Sequence, residues 1–388
     1  MPESTSTWAK LQIGYSRASM LVAMVPRAVL GSARTGRRLR REGVPIDVTA
    51  RLMGESTLDE LFITGNAFVR RRPTIEDVRS AAERAIEVEP ALTQLGPFGL
   101  HAEPSDLDVV RLRRRWYLNN RFDELTFRSD PVLPEHVRDL YGGEQLGTVR
   151  VLRGDPSQPW LIVLHGAGMG RASDMSVFRA RRLHRELGLN VMMPVLPAHG
   201  ARRGVGPESP AFDPLANLAT MVRSVAEVRT LIGWAQAQGA TDVAVLGMSL
   251  GAPVAAMTAA VDDRVDGVAA VVPLLSADRT LAHHLRRSGP LGRSIAASLG
   301  DAAVRRVSAL TDPTTLEPHA PVERRLIIGA AGDRVTSVRG AQRLHATWGG
   351  SVLWHPGGHI GQMLSGPARE AITAWAARGV VAKSSVER

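Results

Sequence analysis

The chain has 388 residues, 44% of them hydrophobic, which is enough apolar material for one large folded core and argues against global disorder. Its formal net charge is +10, but nearly all of the positive charge is arginine and aromatic residues make up only 4%. No nucleic-acid-binding motif is present either, so we expect no nucleic-acid partner. The absence of cysteine excludes disulfides, thiolate metal sites and a cysteine nucleophile.

Residues 1–143 are expected to form a largely helical N-terminal extension whose role the sequence does not disclose. Within residues 18–41 an apolar segment is followed by clustered arginines, which indicates either a helix docked on the core or a peripheral contact with an anionic membrane. Helical spacing and a capping residue predict a helix at 74–86. The basic run at 111–117 predicts a solvated helix face rather than a contact with phosphate or a nucleobase. No secretory signal pattern opens the sequence, and we expect a cytoplasmic protein.

From about residue 144, short apolar runs alternate with helical segments. The runs predict strands at 145–152, 160–164, 190–196, 243–246, 265–275, 325–328 and 351–354. The first of these strands alternates like an edge strand. The pattern predicts an α/β domain at 144–380 with a doubly wound, mostly parallel sheet, followed by a C-terminal tail at 381–388. In such a sheet the active site lies at the carboxyl ends of the strands.

Residues 247–251 read Gly-Met-Ser-Leu-Gly and lie between a predicted strand and a predicted helix. A strand-to-helix turn this sharp needs glycine at both flanking positions, and it leaves the Ser249 hydroxyl standing above the sheet edge. The same turn places the N–H of Leu250 at a helix N-terminus, where it can face a developing oxyanion. The pattern predicts a serine nucleophile.

Two later strands end in loops that carry the other groups that a serine nucleophile needs. One loop ends in Asp333 and the other in His359, and Asp278 is the alternative acid. Three further histidines near these loops are expected to be structural: His165, His199 and His355. The chain order is therefore serine, acid and then histidine.

With this order and the motifs GMSLG, GDRV, PGGH and HGAG, residues 144–380 resemble the serine-dependent α/β hydrolases of the esterase and lipase type. The resemblance implies an α/β-hydrolase fold in which Ser249 is the nucleophile, Asp333 the orienting acid and His359 the general base. It also implies that the backbone N–H groups of Leu250 and Ala167 form the oxyanion hole. Three neighbouring residues are expected to contact the substrate: Gly166, Gly168 and Met248.

No metal- or nucleotide-binding motif is present, so we expect neither a metal nor a cofactor. The segment at 276–321 lies between two core strands and is expected to be a cap over the site. Ile295, Leu299 and Val304 in this cap are candidates to contact an acyl group, although they could equally cover the sheet. Basic side chains of the cap could meet a polar end of the substrate: His283, His284, Arg286 and Arg287.

These observations predict a carboxylic-ester hydrolase that acts on a small acyl substrate through an acyl-enzyme. A peptidase or a thioesterase would use the same chemistry and remains an alternative. A lipid hydrolase held at a membrane surface by the N-terminal segment is another. From a different class, the fold could serve as a catalytically silent binding module.

Overall fold

The computed structural model describes residues 49–69 and 73–386, together with isolated positions between 26 and 41 (26, 27, 30, 31, 33, 34, 37 and 41). Both interpretations of residues 18–41, the docked helix and the membrane contact, therefore fall mostly outside the described residues. In the described part of the chain, no helix has the length and apolarity needed to span a membrane.

A nine-stranded sheet forms the centre of the protein, in the order β1-β2-β3-β5-β4-β6-β7-β8-β9. The strands are β1 (Val109–Tyr117), β2 (Asn120–Ser129), β3 (Gln145–Leu152), β4 (Trp160–Leu164), β5 (Asn190–Pro194), β6 (Val243–Met248), β7 (Gly267–Val271), β8 (Arg325–Ala330) and β9 (Ser351–His355). From β5 to β9 the neighbouring strands run parallel, whereas β1, β2 and β3 are joined to each other and to β5 by antiparallel pairing. The predicted doubly wound, mostly parallel α/β sheet is confirmed.

Helices lie on both faces of this sheet. In chain order the described α-helices are α1 (Ala50–Val69), α2 (Ile75–Gly99), α3 (Glu135–Tyr141), α4 (Asp174–Val177), α5 (Ala180–Leu187), α6 (Pro214–Ala237), α7 (Gly251–Val261), α8 (Ala277–Arg286), α9 (Gly289–Ser298), α10 (Ala302–Ala309), α11 (Val338–Trp348) and α12 (Gly366–Val386). The residues expected to be a C-terminal tail thus continue the last helix as far as residue 386.

Side chains of the central strands alternate between two apolar clusters, as the period-2 geometry of a strand requires. In β4, Ile162 and Leu164 face a cluster with α6, α7 and α11, whereas Leu161 and Val163 face a cluster with α5 and α12. Every residue of this strand is buried because helices cover both faces, which explains why the strand is a continuous apolar run.

The basic run at 111–117 is part of strand β1, and its prediction as a helix face is wrong. The run is solvent-exposed, as expected, but it pairs with β2 through a hairpin in which Leu118 has φ of 50°. Arginine side chains along an exposed outer strand oppose pairing with another chain, which offsets the hazard of an open sheet edge. The alternation of apolar and polar residues that marks a strand is absent here, because arginines occupy both faces of β1: Arg111, Arg113, Arg114 and Arg115.

Strand β3 is not at the sheet edge, contrary to the prediction for residues 145–152. It pairs with β2 on one side and with β5 on the other, and it is buried from Gly147 onward. The physical reason is that β1 and β2 extend the sheet beyond it. Two strands therefore come from the region that the sequence indicated as a largely helical extension.

The helix predicted at 74–86 is confirmed and extends to Gly99 as α2, with a kink at Gly96, where φ is 65°. Thr74 caps it by accepting a hydrogen bond from the N–H of Asp77, whose side chain accepts the N–H of Thr74 in return. This helix packs on the segment at 276–321. Ile295 and Leu299 lie with Val78 in one buried cluster, and Val304 lies in a second cluster with other residues of α2. These three side chains therefore hold the cap segment against α2.

Candidate active site

Ser249 lies in the tight turn between β6 and α7, at the carboxyl edge of the parallel strands. Its φ is +54°, a conformation that costs a non-glycine residue about 1–3 kcal/mol. A Cβ on Gly247 would lie 2.1 Å from the carbonyl oxygen of Gly251, and one on Gly251 would lie 2.5 Å from that of Leu164. Both positions therefore need glycine, for the reason expected from the sequence.

Asp333 and His359 lie in the loops after β8 and β9, and the structure brings both to Ser249. The Ser249 hydroxyl is 2.9 Å from Nε2 of His359, and Nδ1 of His359 is 2.8 Å from Oδ2 of Asp333. Donor chemistry assigns the hydroxyl as donor to Nε2 and the Nδ1–H as donor to the carboxylate. Asp333 also accepts the N–H groups of Val335 and Thr336, at 2.8 and 2.7 Å, and these hold its carboxylate still.

The charges in this group stabilise one another. Burial alone would lower the pKa of His359, but the Asp333 carboxylate and the Asp59 carboxylate raise it above its usual value. Burial alone would raise the pKa of Asp333, but the positive form of His359 and the hydrogen bonds from Thr336 lower it. A buried imidazole with a raised pKa is well suited to receive a proton from a neighbouring hydroxyl.

The loop after β4, residues 165–170, lies against Ser249 on its other side. A Cβ on Gly166 would touch the Cβ of Ser249 at 3.4 Å, so this loop lies directly beside the hydroxyl-bearing carbon. Ala167 follows as a partly exposed residue, and Leu250 opens α7. Both backbone N–H groups thus belong to segments that flank Ser249, as an oxyanion hole requires.

His165 stabilises this loop and stays neutral. Its Nδ1–H donates to the carbonyl of Gly166 at 2.8 Å, and its Nε2 accepts the N–H of Leu196 at 3.0 Å. Burial, with the neighbouring His199, lowers the pKa of His165 to about 3. The imidazole therefore joins the loops after β4 and β5, which is the structural role expected for it.

Of the residues expected to contact substrate, Gly168 is exposed and Met248 is buried. Gly168 is exposed at the tip of the loop after β4, with φ of +80°, a backbone conformation that favours glycine. Met248 is buried, and it lines a small pocket on the face of the sheet covered by α5 and α12. Its sulfur lies 3.4 Å from Nε2 of Gln362, in the turn after His359. The Met248 side chain thus supports the site from within the sheet.

Asp278, the alternative acid, has its own partners. Its carboxylate accepts hydrogen bonds from Nδ2 of Asn217 at 2.9 Å and from the hydroxyl of Ser308. Burial raises the pKa of Asp278. Because Asp333 occupies the position beside the histidine, the geometry favours Asp333 as the orienting acid.

A small cleft begins beside Leu250 and runs between α6, α7 and the start of α8. Its apolar lining includes Leu196, Met221 and Leu274. The N–H of Leu274 donates to the carbonyl of Ser249 at 3.0 Å, so the wall of the cleft is attached to the turn that carries the serine. The cleft therefore lies next to that turn.

Two of the four basic side chains of the cap contact other parts of the protein, whereas His283 and Arg286 are exposed. Arg287 forms an ion pair with Glu60 of α1, at 2.5 Å, and Nε2 of His284 is 2.9 Å from the carbonyl of Val335. The cap is therefore joined to α1 and to the loop that carries Asp333.

Helix α1 holds two carboxylates under the loop that carries His359, and the sequence interpretation missed them. Glu55 accepts hydrogen bonds from His355 and from the N–H of Gly358, both at 2.9 Å, and Asp59 accepts the N–H of His359 at 2.8 Å. His355 is buried, as predicted. No local motif marks the two acids, since they lie about 300 residues from their partners in the chain.

Within the described ranges, no group of three His, Cys, Asp or Glu side chains is arranged to hold a metal ion. The arrangement that is present joins a serine, a histidine and an aspartate through hydrogen bonds, and two backbone N–H groups lie in the segments that flank the serine. Chemically, this set of groups can form and hydrolyse an acyl-enzyme.

Comparison with known proteins agrees with this fold. A family model described as "Alpha/beta hydrolase domain containing 18" matches residues 147–287. An uncharacterised protein of Mycobacterium tuberculosis, found in two strains, is 31% identical over 347 residues, covering 84% of this chain and 82% of that protein. Among solved structures, an acetyl xylan esterase from Paenibacillus sp. R4 has a TM-score of 0.50 at 15% identity, covering 75% of this chain and 92% of that one. At that identity the structural likeness concerns the fold.

Proposed function

The chain belongs to the α/β-hydrolase fold family, and we propose that within it the protein is a serine hydrolase that cleaves a carboxylic ester through an acyl-enzyme. One observation supports this most: an unbroken chain of hydrogen bonds runs from the Ser249 hydroxyl through His359 to Asp333, at 2.9 and 2.8 Å. All three groups are nearly buried, so the chain of hydrogen bonds is shielded from competing water.

In the proposed reaction, Oγ of Ser249 attacks the ester carbonyl carbon while Nε2 of His359 takes the hydroxyl proton. The carbonyl oxygen becomes an oxyanion, which the N–H groups of Leu250 and Ala167 stabilise. Collapse of this intermediate breaks the bond to the alcohol, which leaves with the proton from His359. A water molecule then repeats the sequence on the acyl-enzyme and releases the acid, which restores the serine.

We place the acyl group in the cleft beside Leu250. The walls at Leu196, Met221 and Leu274 are apolar, and burying each acyl methylene there contributes about 0.8 kcal/mol. The cleft is therefore expected to favour an acyl group of several carbons over acetate.

The test is Ser249→Ala, assayed on an activated aryl ester and with a fluorophosphonate probe. We expect the turnover number to fall by roughly 10⁶-fold and labelling to disappear, with unchanged circular dichroism. Ser294→Ala, which removes an exposed hydroxyl from α9, is the matched control and should behave like the wild type. Full activity in folded Ser249→Ala would remove this serine from the mechanism.

The kind of bond can be decided with three substrates that share one acyl group: an oxygen ester, a thioester and an amide. We expect the highest kcat/KM for the oxygen ester. A clear preference for the thioester or the amide would replace the esterase assignment while leaving the serine chemistry in place.

A further inference from the structure

Helix α1 reaches both loops that carry the catalytic acid and base, and it does so through one carboxylate. We propose that Asp59 is a positioning residue of the active site: it fixes the loop of Asp333 to the loop of His359. The inference rests on the proposed serine-hydrolase function for its kinetic consequence, and on geometry alone for the positioning.

The Asp59 side chain accepts three backbone hydrogen bonds from two separate loops. Oδ2 accepts the N–H of Arg334, next to the catalytic acid, at 3.0 Å, and the N–H of His359 at 2.8 Å. Oδ1 accepts the N–H of Ile360 at 3.0 Å. A carboxylate is the only side chain with enough acceptor capacity on two oxygens and no donor of its own, so the site suits an ionised aspartate.

Glycines in the base loop make this approach possible. A Cβ on Gly358 would lie 2.9 Å from Oδ2 of Asp59, and one on Gly357 or Gly361 would lie 1.8 or 2.0 Å from Oε2 of Glu55. A Cβ on Gly358 would also lie 2.8 Å from the backbone carbonyl oxygen of Glu55, so a side chain there would displace α1, whereas side chains at Gly357 and Gly361 would push the Glu55 carboxylate away from the loop. The sequence Pro-Gly-Gly-His-Ile-Gly is therefore shaped to receive both carboxylates of the helix.

The helix itself is held in place by contacts outside these hydrogen bonds. Leu52 packs with Ala331 and Val338, on the acid side of the site, and Glu60 is paired with the guanidinium groups of Arg287 and Arg334. Asp59 is thus presented from a fixed element, and its carboxylate is 0% exposed.

Charge adds a second effect to the positioning. The ionisable groups that act on Asp59 are Asp333 and His359, while Arg334 faces it through its backbone N–H. Burial and the negative charge of Asp333 raise the pKa of Asp59 to about 6, and Asp59 in turn contributes to the raised pKa of His359. Asp59 therefore becomes ionised as the pH rises through about 6, and removing its charge should lower the pKa of the base.

A helix that only added stability would have a different effect. It would change the amount of folded protein, but neither the pKa of His359 nor the turnover of the folded fraction. The measurement that separates the two roles is the titration of the His359 imidazole by NMR in ¹⁵N-histidine-labelled protein, assigned with His359→Gln. This measurement does not depend on any substrate.

The test compares Asp59→Asn with Glu60→Gln, an equivalent change at the next residue of the same helix, which is also buried. We expect Asp59→Asn to lower the pKa of His359 and to reduce kcat/KM by roughly 10–100-fold, since a small misplacement of the base is costly. Glu60→Gln should lower the melting temperature but leave the pKa of His359 where it is. Asp59→Glu keeps the charge and moves the oxygens, so it should retain the raised pKa and still lose turnover.

Unchanged titration and turnover in folded Asp59→Asn would overturn the proposal, and so would the same pKa shift in Glu60→Gln. If Asp59→Asn does not fold, Asp59→Glu decides, because wild-type turnover in that variant would contradict a positioning role. A third outcome separates the two proposals: the wild type cleaves no ester, and Asp59→Asn still lowers the pKa of His359. This result would support the positioning role and refute the proposed function.

Discussion

Ile295→Ala tests whether the cap segment contacts the acyl group or holds the fold together. The sequence made Ile295 a candidate for acyl contact, whereas the structure places it in a buried cluster with Val78, Ala282, Leu285 and Leu299, where only 3% of it is exposed. The side chain lies between α9 and α2, and it is absent from the lining of the cleft beside Leu250. The substitution should therefore change stability and leave substrate preference alone.

The expected size of the effect follows from the atoms removed. Ile295→Ala deletes three carbon groups, each contributing about 0.8 kcal/mol of burial, or about 2.4 kcal/mol together. The cavity left in a packed cluster adds to this, and substitutions of this kind typically lower the free energy of unfolding by about 2–5 kcal/mol.

Urea denaturation measures the stability, and kcat/KM on aryl esters of two to eight carbons measures the preference. Met221→Ala is the contrasting variant, because Met221 lines the cleft. It should shift the ratio of long to short esters more than it shifts the free energy of unfolding. An altered ester ratio in Ile295→Ala, with unchanged denaturation, would refute the assignment of the cap to packing.

Two further predictions concern the acid and the base. Asp333→Asn should keep the fold and reduce kcat by up to roughly 10⁴-fold. Asp278→Asn, measured in the same assay, should lose far less kcat. A larger loss in Asp278→Asn would assign the acid role to Asp278 instead. Because the pKa of His359 is raised above the usual histidine value of about 6.5 and the base acts in its neutral form, kcat/KM should rise with pH through a midpoint above 6.5. A midpoint below 6.5 in a pH–rate profile would contradict the environment described for this histidine.

The parts of the fold that sequence reasoning recovered are those with local causes. The central strands are continuous apolar runs because both of their faces are covered, and that run is visible without any knowledge of neighbours. The Gly-Met-Ser-Leu-Gly turn is equally local, since the clashes that exclude side chains at Gly247 and Gly251 involve the turn itself and the adjacent strand. Chain order then indicated Asp333 and His359.

The features that were missed have distant causes. Strand β1 carries arginine on both faces because it is an outer strand, so no hydrophobic period distinguishes it from a solvated helix. The sequence of residues 145–152 alternates like an edge strand, and it does not show that β2 pairs with the outer side of this strand. In the cap, apolar spacing made Ile295 a candidate to contact an acyl group or to cover the sheet, but the element it packs against is α2, some 200 residues earlier in the chain.

Helix α1 shows why this limit matters for the active site. The loop that carries His359 contains Gly357, Gly358 and Gly361, and glycine loses more conformational entropy on ordering than any other residue. A loop of this composition needs acceptors from elsewhere to hold its backbone in one arrangement, and Glu55 and Asp59 provide them. A domain boundary at residue 144 would separate Glu55 and Asp59 from the loop of His359. It would also separate β1 and β2 from the rest of the sheet. Helix α1 and strands β1 and β2 therefore belong, by their contacts, to the same folded unit as the proposed active site.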